Sequence, residues 1–206
     1  MSSLAVILVA LTLASASGDT WQSLAELPPG PERGRRVAAL LATETGPLDG
    51  AAQRLAYEAG TRASEDLDLE LALDIQRPLY ALVGASWSAY DLALTEQRQG
   101  NVDGADALFA ELLASTAPAD APGLWGQRGI LALGAGRGVS ARAYLGRAIA
   151  LGDPDAAAVL AREALAGHNL GPSKNGFRTA LGRNPAHPWA LRGWGLSLLF
   201  ASSPRN

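Results

Sequence analysis

The apolar residues in the N-terminal third of the chain mostly recur at the three- and four-residue spacing of an amphipathic helix. After a Pro- and Gly-rich break at 28–31, the segment 32–44 carries Val37, Leu40 and Leu41 on one face. A second helix is predicted from the break at 46–47 to about residue 60, with an apolar face of Leu48, Ala52, Leu55 and Ala59. Since side chains at this spacing lie on one side of a helix, both segments are expected to pack against other helices.

The segment 67–75 departs from this pattern, because its apolar residues alternate with polar ones. A period of two is typical of a half-buried strand. The Leu, Ala and Glu content and the helical surroundings nevertheless predict a helix, and the acidic residues near its start favour a helix N-terminus. Pro78 is expected to interrupt or kink this helix, since proline has no backbone N–H.

From about residue 85 onwards, large and small residues recur at a nearly fixed interval. Phe109, Leu145 and Phe177 are 36 and 32 positions apart, and Trp125 and Trp189 are 64 apart. Self-similarity at this period is the pattern of a solenoid, in which each helix pair buries its apolar face only by stacking on its neighbours.

These repeats resemble the tetratricopeptide repeat (TPR), which combines an early Trp, small residues, a Gly near the turn, a later Ala-x3-Phe and a final Pro. The matching residues are Trp125, Gly129, Gly136, Ala141, Leu145 and Ala148, then Phe177, Ala180 and Pro185, then Trp189 and Gly193. The pattern departs at Arg128 and Arg192, where Leu is usual, and at Ser173, where Ala is usual. The resemblance covers about residues 85–200 and implies an all-α, TPR-like α-solenoid of antiparallel helix pairs in a right-handed superhelix.

The chain opens with an apolar segment, Leu4–Leu13, followed by small residues up to Ala16. This is typical of a secretory signal peptide cut after Ala16. Ten helical residues span about 15 Å, half a bilayer core, which disfavours a transmembrane anchor. Residues 1–3 lack the usual Lys or Arg, so a buried first helix or a mis-set start stays open as the alternative. We expect a periplasmic or secreted protein, or a cytoplasmic one if the leader is not cleaved.

The predicted organisation is therefore a signal peptide at 1–16, degenerate helical pairs at 17–84 and TPR-like repeats at 85–200. The repeats are placed at about 86–119, 122–153 and 154–185, with a truncated fourth at 186–200.

Composition supports the all-α prediction and removes several function classes. Ala and Leu, both strong helix formers, account for 41 and 34 of the 206 residues. A net charge of −3 gives no electrostatic case for nucleic acid. The absence of cysteine excludes disulfides, thiolate zinc sites and thiol nucleophiles.

Candidate chemical motifs are weak, and no cofactor and no metal site is expected. The glycine run 134–138 lacks the third glycine of a dinucleotide fingerprint, because that position is Val139, and a helix–turn–helix loop explains it better.

Asp66, Glu70 and Asp74 would share a face of one helix, which indicates a solvated face more than paired catalytic acids. His168 and His187 have no ligand at metal spacing. The cluster Arg33, Arg35 and Arg36 indicates a surface patch, with anion or membrane contact as the alternative.

The TPR resemblance implies a concave groove lined by the first helix of each pair, which receives peptides. Its positions correspond here to Trp87, Tyr90, Leu94, Gln97, Arg98, Gln127, Ile130, Arg162 and Trp194. The carboxylate-clamping Lys and Asn of the chaperone-tail class are absent, since Tyr90 and Leu94 hold those positions. An apolar and aromatic groove flanked by Arg98 and Arg162 suits an amphipathic or extended peptide. Trp125 and Trp189 are expected in the core.

We therefore expect a non-catalytic scaffold that binds a peptide or protein partner. An accessory helical domain of an enzyme system and an architectural oligomerisation subunit stay open as alternatives. The last helix, 189–200, carries one charge, and a large apolar surface usually marks an interaction site. Trp194, Leu198 or Phe200 is predicted to contribute to self-association or to a partner contact.

Overall fold

The computed structural model describes residues 19–117 and 121–202, so the predicted signal peptide lies outside the described residues. These ranges contain eleven α-helices and no strand, which confirms the all-α prediction. The first six helices are α1 (Trp21–Ala25), α2 (Pro31–Thr43), α3 (Gly50–Glu65), α4 (Leu69–Val83), α5 (Ser86–Gln99) and α6 (Val102–Ser115). The remaining five are α7 (Pro122–Gly134), α8 (Gly138–Ala150), α9 (Pro154–Ala166), α10 (Leu170–Arg183) and α11 (Pro188–Ser202).

Helix starts are fixed by local sequence. Asp49 and Asp153 cap α3 and α9, each accepting hydrogen bonds from two backbone N–H groups of the first turn. Thr20 and Ser23 bond reciprocally at the start of α1. Pro31, Pro122, Pro154 and Pro188 each begin a helix, where the missing proline N–H loses no bond. Short polar breaks therefore suffice to separate the helices.

Five of the turns share one hydrogen-bonding pattern, in which one residue adopts a left-handed conformation after the helix. One of them is Gly152, between α8 and α9, with φ 100°. The other four lie between α3 and α4, α5 and α6, α7 and α8, and α9 and α10, at Leu67, Gly100, Gly136 and His168, with φ values of 62°, 87°, 72° and 56°. In each case the next residue donates its N–H to a carbonyl five positions earlier, which closes the end of the helix. Those other four turns stand 33, 36 and 32 residues apart. The structural repeat therefore begins with α3 and α4, before the part of the chain in which the sequence shows it.

The alternating segment 67–75 is helical from Leu69 onwards, as predicted. Asp68 is the N-cap, and Asp66 ends the preceding helix instead. The shared helical face predicted for Asp66, Glu70 and Asp74 was therefore wrong, because the turn at Leu67 separates the first of them from the others. Pro78 lies inside α4, which continues to Val83, so proline does not interrupt this helix.

The described residues form two compact units, which divide between Leu108 and Phe109, within α6. In the first unit, α3 packs against α4, α4 against α5, and α2 against both α3 and α4. One core cluster of this unit consists mostly of large aliphatic residues: Leu24, Val37, Leu41, Leu48, Ala52, Leu55, Ala56, Ala59, Ile75 and Leu79.

In the second unit, each of the helices α7 to α10 packs against the helix that follows it, and α9 also contacts both α7 and α11. Two core clusters of this unit consist mostly of alanines around one large side chain each, Leu145 and Phe177, which are fully or almost fully buried. Both side chains pack against glycines. A Cβ added to Gly129 would lie 2.6 Å from Leu145 Cγ, and one added to Gly193 would overlap the Phe177 ring.

No helix among the described residues is both long and apolar enough to cross a membrane.

Candidate functional site

The second unit contains an open groove along α7, α9 and α11, with a volume of about 480 Å³. We call it the α7–α9–α11 groove. Its lining residues are Gln127, Ile130, Asp155, Ala158, Val159, Arg162, Leu165, Phe177, His187, Trp189, Arg192, Gly193 and Leu196. All but two of these residues lie on α7, α9 and α11, every second helix of the unit.

The groove has an apolar floor. Ala158, Phe177 and Gly193 are buried, and they are the groove-side part of the contacts that hold α9, α10 and α11 together. Ile130, Val159 and Leu165 are partly exposed along the walls. A bound apolar side chain would therefore meet an aliphatic surface that packing already holds in place.

One hydrogen bond joins two of the helices that form the groove. His187 Nε2 lies 2.7 Å from Asp155 Oδ1, at the beginning of α9. The other ring nitrogen, Nδ1, accepts a hydrogen bond from the backbone N–H of Ala190 and so helps to cap α11. Because Nδ1 acts as acceptor, the neutral ring carries its proton on Nε2, which donates to the carboxylate. The ring is 5% exposed and the carboxylate 75% exposed, so Asp155 is the member that faces solvent.

Three charged side chains stand at the rim. Arg162 is exposed, with only a long 3.9 Å contact to Glu163, which gives little stabilisation at a surface. Arg192 is also exposed. The two guanidinium groups oppose the single carboxylate of Asp155, so the lining of the groove carries a small excess of positive charge.

Next to the groove, Asp153 caps α9 and is half-buried beside Gly126. Burial raises the pKa of this carboxyl above its ordinary 3.8, although the N–H groups of Ala156 and Asp155 and the nearby His187 act in the opposite direction. Folding therefore disfavours the charged form of the Asp153 carboxyl.

The sequence-predicted groove residues fall in both units. In the second unit, Gln127, Ile130 and Arg162 line the α7–α9–α11 groove together. Trp194 instead packs against the alanine cluster around Phe177, with the Arg178 guanidinium 5.8 Å from its ring centre. Trp189, five residues earlier, supplies the indole on the groove side.

The other five predicted residues lie on α5 in the first unit. Trp87 is 41% exposed and meets Tyr57 edge-on at 5.2 Å between ring centres. Leu94 and Arg98 line a small cavity, and Arg98 donates a 2.7 Å hydrogen bond to Ser64 Oγ. The remaining two, Tyr90 and Gln97, are partly buried, and the Gln97 amide oxygen has no hydrogen-bond partner.

The prediction that Trp189 belongs to the core was wrong, since its exposed fraction is 67%. The buried positions of α11 are Ala190, Gly193 and Ser197, and this spacing turns Trp189 towards the groove. Trp125 does pack, partly buried, in the cluster around Leu145.

Sequence reasoning also missed the contact between His187 and Asp155. The two residues are 32 positions apart, one repeat, and that spacing is the signal that could have found the contact.

Within residues 19–117 and 121–202, no group of three or more His, Asp or Glu side chains could hold a metal ion.

The glycine run 134–138 forms the turn between α7 and α8, as expected. His168 is exposed at the turn between α9 and α10. Of the arginine cluster, Arg35 and Arg36 form ion pairs with Glu32, while Arg33 is buried and donates to the Leu27 carbonyl.

Comparison with known proteins gives structural matches only, since no protein-family model and no curated protein matches the chain. Cut9–Hcn1, from an APC/C hetero-tetramer, is 13% identical, with a TM-score of 0.57, over 94% of this chain and 45% of that chain. This chain has a TPR-like fold. YrrB, a TPR protein with an unusual peptide-binding site, is 18% identical over 71% of this chain and 76% of that chain, with a TM-score of 0.48.

The TPR-like fold rests on the helix pairs, on turns that recur every 32–36 residues and on the likeness to Cut9–Hcn1 along most of the chain. Apart from Phe177 on α10 and His187 directly before α11, the groove residues therefore belong to the first helices of successive pairs, α7, α9 and α11.

Proposed function

We propose that this chain is a non-catalytic scaffold that binds a peptide, or an extended segment of a protein partner, in the α7–α9–α11 groove. The observation that carries the proposal is the groove itself, an open channel of about 480 Å³ along three helices with an apolar floor and two arginines at its rim. Pockets of this size suit several consecutive side chains of a ligand.

The lining defines the chemistry of the ligand. Ile130, Val159 and Leu165 suit an aliphatic or aromatic anchor, and the exposed indole of Trp189 supplies a flat surface on α11. Arg162 and Arg192 favour a carboxylate on the solvent side of the same ligand. The ligand is therefore an amphipathic peptide, with apolar residues facing the floor and a limited negative charge at the rim.

The test uses peptides selected on the full chain from a random 12-residue library, with affinities measured by fluorescence anisotropy. Trp189→Ala is expected to weaken binding about tenfold or more, since exposed aromatic residues at the centre of an interface contribute most of the affinity. Leu191→Ala is the matched control, because Leu191 is 51% exposed on the same helix but does not line the groove.

Equal effects of the two substitutions would contradict the groove as the binding site. Selected peptides whose binding depends on neither residue would favour an architectural subunit. Turnover of a substrate by the chain, unaffected by Trp189→Ala, would favour the enzyme-associated alternative.

Two parts of the proposal rest on sequence alone. Export follows from the apolar segment Leu4–Leu13, and the intact mass of protein recovered from the native host should then lack residues 1–16. Recovery of the full-length chain from the cytoplasm would contradict it.

Self-association through α11 stays a prediction. Of the three residues predicted for it, Leu198 and Phe200 are 46% and 54% exposed, and Trp194 is partly buried. A mass that stays monomeric across a concentration series in sedimentation would contradict it.

A further inference from the structure

The first unit contains a second, smaller cavity between α3 and α5, floored by one residue of α4. Its volume is about 120 Å³, and we call it the α3–α5 cavity. Its lining residues are Thr61, Ser64, Glu65, Gln76, Asp91, Leu94, Thr95 and Arg98, of which only Leu94 is apolar. The apolar walls of the α7–α9–α11 groove have no counterpart among these residues, so the two sites differ in chemistry.

Two buried polar atoms of this lining lack a hydrogen-bond partner: the amide oxygen of Gln76 and the hydroxyl of Thr61. Gln76 is 5% exposed, so its side chain is held in place by the surrounding helices. Gly60 contacts it closely, since a Cβ added there would lie 3.1 Å from Gln76 Cγ. An unpaired buried polar atom normally costs a protein stability, and such atoms concentrate where a ligand satisfies them.

Several polar groups of the lining already bond to each other. The Arg98 guanidinium donates to Ser64 Oγ at 2.7 Å and reaches the Ser64 carbonyl at 3.5 Å. The Ser64 and Thr95 hydroxyls bond to each other at 3.3 Å. The Gln76 amide oxygen and the Thr61 hydroxyl oxygen stay available as acceptors.

Asp91 adds negative charge to these acceptors. It is half-buried and accepts a hydrogen bond from Tyr57. Burial raises the pKa of the Asp91 carboxyl, and neither Tyr57 nor Arg98 fully offsets that effect. With Glu65 also in the lining, two carboxylates face one guanidinium, so the cavity favours a cationic ligand.

We propose that the α3–α5 cavity binds a primary ammonium group carried on an alkyl chain, with Gln76, Thr61 and Asp91 as its acceptors. An ammonium has three N–H donors, and these three side chains supply three acceptors. The cavity is several times larger than the roughly 10–15 Å³ that a single water molecule requires. The alkyl chain meets Leu94, the one apolar residue of the lining. A lysine side chain and a free alkylamine share this chemistry.

The test is a titration of the ¹⁵N-labelled full chain at neutral pH, followed by NMR. n-Butylamine is expected to shift the Gln76 side-chain amide and the backbone amides of Thr61 and Asp91 saturably. n-Butanol, which has the same alkyl chain without the charge, is expected to leave them unshifted. Equal responses to the two compounds, or no saturation with the amine, would overturn the proposal and leave the cavity a site for water alone.

Substitutions make the test specific. Asp91→Asn is expected to weaken amine binding about tenfold, because the negative charge of this acceptor is lost while the shape is kept. Gln76→Leu is expected to abolish it and yet to leave the chain folded, since it removes an unpaired buried oxygen. Asp74→Asn, on α4 but outside the cavity lining, is the control. Unchanged affinity in Asp91→Asn would contradict the proposal even if Gln76→Leu failed to fold.

Two peptides distinguish a lysine side chain from a free alkylamine as the source of the ammonium. One is an end-blocked Gly-Lys-Gly, and the other is the same peptide with an acetylated lysine. Binding of the first alone identifies a lysine side chain as a ligand. Binding of n-butylamine without either peptide identifies a site for free amines, and both results support the ammonium site. Because none of these residues lines the α7–α9–α11 groove, Trp189→Ala is expected to leave amine binding unchanged.

Discussion

The two units build helix pairs of the same kind with different cores. In the first unit, large aliphatic side chains such as Leu41, Ile75 and Leu79 interlock between helices. In the second unit, alanines bring the helices close, and Leu145 and Phe177 fill the remaining space against glycines. The comparison shows that one geometry can be specified by many interchangeable large residues or by a few large residues at fixed places.

The largest expected effect tests the dependence of the second unit on one side chain. Phe177→Ala should lower the free energy of unfolding by about 3–5 kcal/mol, because its alanine and glycine neighbours cannot fill the space. Leu41→Ala in the first unit should cost about 2–5 kcal/mol, towards the lower end, because large neighbours can relax. Urea denaturation measures both. Val139→Ala is the control, since Val139 is 79% exposed on α8 of the same unit, and an equal loss there would contradict the comparison.

A second prediction uses two glycines of α11. Gly193→Ala should destabilise the chain by roughly 1–3 kcal/mol, because the new methyl group overlaps the Phe177 ring. Gly195→Ala should stabilise it by about 0.5–1 kcal/mol, since nothing lies within 4 Å of the added atom and alanine favours the helix. Thermal unfolding of the two variants measures the difference. Effects of the same sign would show that Phe177 does not pack on Gly193.

A third prediction concerns the left-handed turn in each unit. Leu67→Gly and His168→Gly should each stabilise the chain by up to about 1 kcal/mol, because glycine adopts a positive φ without steric strain. Gly100→Ala, at the equivalent turn after α5, should destabilise by a similar amount. Chemical denaturation of the three variants measures the effects. A loss of stability in Leu67→Gly would mean that its side chain, 76% exposed, contributes a contact after all.

The smallest expected effect is a pH dependence in the second unit. Since burial raises the pKa of Asp153 above its ordinary 3.8, its contribution to stability is fully present below that value and is lost as the pH rises through the folded-state pKa. Asp153→Asn keeps the helix cap and removes the charge. It should therefore raise stability at pH 7 and have little effect below pH 3.8.

Asp49→Asn, at the exposed cap of α3 in the first unit, is the control for Asp153. Denaturation curves recorded at both pH values measure each difference. A gain at pH 7 that persists in acid would contradict the role of the Asp153 charge.

The sequence predicts the second unit better than the first, and the cores explain why. Phe177, Leu145 and the glycines that they pack against must occupy fixed positions, so the sequence shows a regular spacing. The first unit carries the same turn at Leu67, but leucine replaces glycine there, and its aliphatic core tolerates irregular spacing. The sequence therefore shows the repeat spacing only from about residue 85 onwards.

The site was harder to predict than the fold. A repeat pattern says which helices line a groove, and Gln127, Ile130 and Arg162 do line one. It does not say which of two indoles on one helix lines the groove: Trp189, predicted in the core, lines it, and Trp194 packs against the cluster around Phe177. The polar lining of the α3–α5 cavity is assembled from three helices, so no local spacing signals it.

The meeting of Phe177 with Gly193 also fixes the register of α10 against α11. Alanine surfaces are nearly uniform, and a slide of one helical turn, about 5.4 Å, would replace one methyl group by another. The Phe177 ring does not permit that slide, because the positions one turn away on α11 are Trp189 and Ser197, neither of which leaves the space that glycine leaves. A single aromatic residue and a single missing side chain thus select one alignment among several that the alanines would accept.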